Sequence, residues 1–139
     1  MTLMYMLDTN AASEALRGHP RVDARLRSLA PGQWCISAVT CSEMRYGVAR
    51  RPEALRLHQL VNEFLRVVTI LPWDAEAANR HGELRADLRS RGTPIGDFDE
   101  MIAAHALAIG AVVVTDNMRH FKQVPGLVLE NWVRQAAGH

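Results

Sequence analysis

The sequence predicts an α/β fold: a central, mostly parallel sheet of four or five strands with helices on both faces. Three observations lead there. Short apolar runs alternate with amphipathic helical stretches, an order that calls for right-handed crossovers and parallel pairing. The runs are continuously apolar rather than alternating, as strands covered on both sides are. Glycine and proline fall at the joints between the two kinds of segment.

Tyr5-Met6-Leu7 reads as the first strand and ends at Asp8. Cap-type Thr9 and Asn10 open a helix through Ala11, Ala12, Ala15 and Leu16, which Gly18 and Pro20 punctuate. Arg21 to Leu29 follows as a second helix, with Val22, Leu26 and Leu29 on one face, and Pro31-Gly32 marks a loop. Trp34-Cys35-Ile36 is the second strand. Ser37 to Val48 is a helix carrying Glu43 in its second turn, and Pro52 starts another, spaced by Leu55, Leu60, Val61 and Leu65. The β-branched run Val67 to Leu71, closed by Pro72, is the third strand. A long polar helix, Asp74 to Arg91, turns Ala78, His81, Leu84 and Leu88 inward and stops at Gly92 and Pro94. Gly96 to Ile109 is the most apolar helix, ended by Gly110. Ala111 to Thr115 is the fourth strand, Met118 to Phe121 a short segment, and Val128-Leu129 a candidate fifth strand before a tail at Trp132.

The chain has 139 residues, 48% of them hydrophobic and 22% charged, which suits one domain over residues 1–139 with a core that needs no staples. No apolar run approaches the ~20 residues of a membrane helix, and Met1 to Asp8 lacks a basic leader region, so a cytoplasmic protein is expected. Cys35 and Cys41 have no metal-type spacing and read as buried free thiols. A net charge of +1 excludes a general polycation. Of 16 cations only Lys122 is a lysine. A GC-rich genome would produce that bias with no functional cause, and arginine also suits phosphate recognition.

The acids carry the chemistry. In open parallel sheets ligands bind beyond the carboxyl ends of the strands. Asp8 stands at one such end, and Asp116 with Asn117 at another. Asp97, Asp99 and Glu100 open the most apolar helix, where Asp99 shares a face with Ala103 and Ala106. Glu43 shares a helix face with Val39, Tyr46 and Gly47, so it is expected to need a partner or a metal. Each acid also has a purely structural reading: Asp8 as a helix cap, Asp97 and Asp99 as helix-dipole partners, Glu43 as a solvated residue, Asp116 as a turn residue. Gathered in one cleft they repel, and a divalent cation offsets that. Mg²⁺ or Mn²⁺ takes oxygen ligands, keeps several waters, and supports hydrolysis of a phosphodiester.

Met6-Leu7-Asp8-Thr9-Asn10 resembles the opening of PIN-domain ribonucleases, especially the VapC toxins of bacterial type II toxin–antitoxin pairs. Ser42-Glu43-Met44-Arg45-Tyr46-Gly47 resembles their second motif. Gly92-Thr93-Pro94-Ile95-Gly96, with Asp97-Phe98-Asp99 and Ile102-Ala103-Ala104-His105-Ala106, resembles the third. Val114-Thr115-Asp116-Asn117, followed by His120-Phe121, Pro125-Gly126-Leu127 and Asn131-Trp132, resembles the ending. The resemblance implies a three-layer α/β/α PIN-like fold, Mg²⁺-dependent RNA cleavage, a homodimer, and inhibition by a cognate antitoxin. It also implies that Asp8 and Asp99 bind the metal and that Glu43 completes the acidic cluster. The family often has an acid where Asn117 stands, and Asp116 is the substitute expected here. Thr9 and Thr115 orient a metal water or phosphate, or else cap helix and turn. Arg45 is a candidate phosphate contact.

Two other readings share this pattern. A receiver-type phosphate switch needs a lysine soon after a late strand, and Lys122 lies too far past Thr115. A catalytically inactive PIN-like protein-interaction module would keep the fold without the acids, whereas Asp8, Glu43 and Asp99 are all present. The antitoxin is expected to lay a helix or strand in an apolar groove and send a basic side chain into the acidic pocket.

Overall fold

Five strands form one sheet in the order β3-β2-β1-β4-β5, every neighbouring pair parallel. The computed structural model describes residues 3–134; the ends of the expected domain, residues 1–2 and 135–139, lie outside the described residues. The chain runs β1 (Tyr5–Leu7), α1 (Thr9–Leu16), α2 (Pro20–Arg27), β2 (Trp34–Ser37), α3 (Ala38–Ala49), α4 (Leu55–Val67), β3 (Ile70–Leu71), α5 (Ala75–Ser90), α6 (Asp97–Ile109), β4 (Val112–Val114), α7 (Met118–Phe121) and β5 (Leu129–Glu130). From β1 the chain winds outward through β2 to β3, then crosses back to place β4 on the other side of β1. The winding therefore reverses between β1 and β4, which opens a crevice at their carboxyl ends.

The strands are apolar throughout because each side chain has a helical layer to face. Tyr5, Leu7, Ile36, Val112 and Val114 point into a core closed by α1 to α4 and Trp132. Met6, Cys35 and Val113 point into the opposite core, closed by α5, α6 and Phe121. The period of two along each strand thus divides one apolar run between two cores. Helix α6 is the most deeply set: Ile102, Ala103, Ala104 and Ala106 are each 0% exposed. Small side chains on it allow close approach, and Gly110 ends it with φ 71°, a left-handed turn that favours glycine.

The structure departs from the sequence reading in several places. The Val67–Leu71 run is not one strand. Val67 closes α4 and is 72% exposed, and only Ile70–Leu71 pair, at the sheet edge. An edge position asks little burial of a strand, so β-propensity there misled. Helix α4 begins at Leu55 rather than Pro52, because a turn precedes it. In α5 Ala77, not Ala78, faces inward beside Leu84 and Leu88, one residue off the expected stripe. The last strand is Leu129–Glu130 rather than Val128-Leu129, with Val128 exposed. Cys35 is buried as expected, but Cys41 is only half-buried, and both are free thiols. Among the described residues no helix is long and apolar enough to cross a membrane.

Candidate active site

Asp8 is fixed by the strand-to-helix junction. It follows β1 directly, and its carboxylate caps α1 by accepting the Ala11 N–H at 2.8 Å. Its own N–H donates to the Val114 carbonyl at 3.0 Å, tying it to β4 across the crevice. The structural reading of this residue as a helix cap therefore holds. Only 2% exposed, the side chain has left water without gaining a cation, and its pKa rises from 3.8 to about 6. Burial is the main cause. The Thr115 hydroxyl and the Ala11 N–H oppose the rise, while the charges of Asp99 and Glu43 add to it.

Asp99 sits in the first turn of α6, at the crevice mouth. Burial raises its pKa too, opposed by His120. The His120 Nδ1 lies 3.8 Å from Asp99 Oδ2 and 2.8 Å from the Asn117 side-chain amide. Glu43 reaches the same region from α3. Its Oε1 accepts a hydrogen bond from the Thr9 hydroxyl, which lies 3.3 Å from the Thr40 hydroxyl. Burial and the Asp99 charge raise the Glu43 pKa. The charge of Asp99 thus bears on both Asp8 and Glu43, and that of Glu43 on Asp8.

Asp116 borders the same pocket, of about 300 Å³, with Asp8, Asn10, Asp99 and Asn117. Its electrostatics differ. Oδ1 accepts from Arg134 Nε at 2.7 Å and from the Asn131 amide at 2.9 Å, and these bonds hold its pKa down. Asp116 is therefore balanced by its own neighbours, unlike the other three. Asn117 faces the pocket as well, with its amide on His120. The Thr115 hydroxyl accepts the Asn117 N–H at 2.8 Å, a turn cap, and also touches the electrostatics of Asp8. Asp97 points away: its side chain is 70% exposed, 3.6 Å from Arg89. Tyr46 is 68% exposed, so the Glu43 face of α3 opens to solvent rather than into core. Arg45 donates to Asn62 at 2.6 Å and is committed to α4.

The sequence reading gave no role to His120, which it named only within a motif, and missed Thr40 and Arg134. Thr40, 0% exposed, precedes Glu43 by three residues and so faces the same way. His120 could have been found by placing it one turn beyond Asn117. Arg134 had no signal, since its partner is set by how the chain returns after β5. Another buried polar pair joins the acid-bearing helices. His105 Nδ1 on α6 lies 2.9 Å from the hydroxyl of Ser37, which caps α3 by accepting the Val39 N–H at 3.1 Å. Burial lowers the His105 pKa, so the ring is neutral.

Among the described residues no three His, Cys, Asp or Glu side chains are close enough to clasp an ion by themselves. The donor set still suits a hard cation that keeps most of its waters. Asp8 and Asp99 supply two carboxylates to one pocket, and amide and carboxylate oxygens line the rest.

Comparison with known proteins gives the same architecture. The PIN domain family profile matches residues 5–127. The tRNA(fMet)-specific endonuclease VapC of Salmonella typhimurium is 37% identical over 130 residues, covering 94% of this chain and 98% of the relative. Ribonuclease VapC2 of Rickettsia felis is 36% identical over 132 residues, covering 94% and 98%. Among solved structures, VapBC2 from Rickettsia felis bound to a DNA fragment from its promoter superposes with a TM-score of 0.86 at 36% identity, covering 94% of this chain and 99% of that one. DNA-bound VapBC from Salmonella typhimurium gives 0.86 at 37%, covering 94% and 98%.

Proposed function

This chain belongs to the PIN domain family, and we propose that it is a VapC-type toxin: a Mg²⁺- or Mn²⁺-dependent endoribonuclease held in check by a cognate antitoxin. The observation that carries this reading is the meeting of Asp8, Asp99 and Asp116 on one pocket of about 300 Å³, from the cap of α1, the first turn of α6 and the end of β4. Burial raises the pKa of Asp8, Asp99 and Glu43, as at sites that work with charge. In this reading the chain works as one PIN domain in the cytoplasm.

Asp8 and Asp99 would hold the ion. Bound there, it would polarise the RNA phosphodiester and make a coordinated water more acidic. Asp8 is kept in place by its cap bond and by β4. Thr9 fixes one oxygen of Glu43. The other, Oε2, takes the proton of the attacking water, a role that a raised carboxyl pKa favours. Asp116 completes the acidic wall as the fourth catalytic carboxylate and is steadied by Arg134 and Asn131.

The solved relatives are VapBC assemblies, a family of toxin-antitoxin systems, and one groove of this chain suits such a partner. A groove of about 210 Å³ between α1, α3 and α4 has Leu16, Met44, Val48, Leu57 and Val61 on its floor and reaches Glu43. An antitoxin segment with apolar side chains would fill it and direct a basic side chain to the acids. Arg17, Arg50 and Arg51 on the rim suit acidic flanks. A homodimer belongs to the same reading.

The test is RNA cleavage by the purified chain with Mg²⁺ or Mn²⁺, beside Asp8→Ala and Asp99→Ala. Each substitution should lower cleavage by more than about 100-fold, the loss that removing even an outer partner of a metal ligand can cause. A chelator should abolish it. Undiminished cleavage by both variants rejects this site.

A further inference from the structure

Among the described residues only two aromatic side chains are exposed, Tyr46 at 68% and Phe98 at 52%. They come from different helices, α3 and α6, yet line one cavity of about 530 Å³, whose other walls are Ser42 and Glu43. That size falls in the range of small-molecule sites. Sequence links both rings to the acids: Tyr46 follows Glu43 by one helical turn, and Phe98 immediately precedes Asp99. Neither ring serves either core.

The cavity shares Glu43 with the acidic cluster, so whatever occupies it lies next to the reacting group. Asp99 on the acid pocket and Phe98 on this cavity are consecutive residues of α6, so the two openings adjoin at the start of that helix. Planar rings stack on any base, and stacking is the usual way that proteins grip unpaired RNA. The polar rim fits the same occupant: Ser42 offers a hydroxyl to a base edge, and the Arg50 guanidinium lies 5.8 Å from the Tyr46 ring centroid, beside the path of a flanking phosphate.

We propose that the cavity of Ser42, Glu43, Tyr46 and Phe98 binds an unpaired nucleobase adjoining the scissile phosphate, stacked on Tyr46 and Phe98. This rests on the ribonuclease reading above.

The experiment uses the full chain with Mg²⁺ and a single-stranded RNA. Tyr46→Ala and Phe98→Ala should each raise KM roughly tenfold, within the range of one lost base stack, and leave kcat and the Mg²⁺ requirement unchanged. Tyr46→Trp and Phe98→Trp should restore KM. Unchanged KM in the double alanine variant overturns the proposal. So does a shift from dimer to monomer in the alanine variants, which would assign the rings to a second copy. A readout independent of cleavage separates this proposal from the one beneath it. RNA carrying 2-aminopurine should be quenched on binding to Asp99→Asn, and the quench should vanish when Tyr46→Ala and Phe98→Ala are added. If no RNA is cut, the ribonuclease reading fails, and this quench alone decides the pocket: its absence, or its survival without the rings, refutes it.

Discussion

Replacing Asp8 by asparagine should make the metal-free protein more stable. The Asp8 carboxyl is raised from 3.8 to about 6, so the folded state holds its proton more tightly than the unfolded chain does. Below pH ~4 the group is protonated in both states and weighs on neither. As pH rises through 6 the folded protein must carry a buried anion. At neutral pH that penalty is on the order of 3 kcal/mol, from about two pH units at 1.36 kcal/mol each. Asparagine matches the neutral form in shape and still accepts the Ala11 N–H, so the cap of α1 survives. For a chain of this length the gain corresponds to roughly 5–10 °C in Tm. Thermal unfolding in chelator at pH 7 and near pH 4 measures it. Asp8→Asn should melt higher at pH 7, and the difference should shrink in acid. A variant that melts lower at pH 7, or keeps the same margin at both pH values, refutes the reasoning that burial without a cation dominates at Asp8.

Metal should act on the same penalty from the other side. Mg²⁺ or Mn²⁺ at 100 times its Kd should stabilise the protein by about 2.7 kcal/mol, with little effect on Asp8→Asn or Asp99→Asn; equal melting shifts in all three would place the ion elsewhere. Ser37→Ala strips the buried His105 ring of its partner and α3 of its cap, so it should destabilise by about 1–3 kcal/mol, readable as a lower urea midpoint. Ile102→Ala, in the centre of the buried helix, should cost about 2–5 kcal/mol through the cavity it leaves. Denaturant unfolding at unchanged slope is the check, and a loss under 1 kcal/mol would mean that α6 collapses to fill the gap.

What the sequence by itself determined is the part governed by local rules. Continuous apolar runs meant strands with two covered faces, and Tyr5–Leu7 and Val112–Val114 are such strands. Gly110 stopped α6 because only glycine turns left-handed there without strain. Asp8 at a strand end, just before a helix, could be placed at the crevice mouth from the winding rule alone. The tertiary structure decided what depends on distant neighbours. Val67 went to a helix because β3 lies at the edge, where packing no longer rewards a β-branched run. Asp116 was set apart from the other acids by Arg134 and Asn131, which arrive from beyond β5. Tyr46 and Phe98 became neighbours only when α3 and α6 met. Periodicity encodes which face of an element is buried; the identity of the group across the gap is fixed by the path of the whole chain, and charge and stacking both act across that gap.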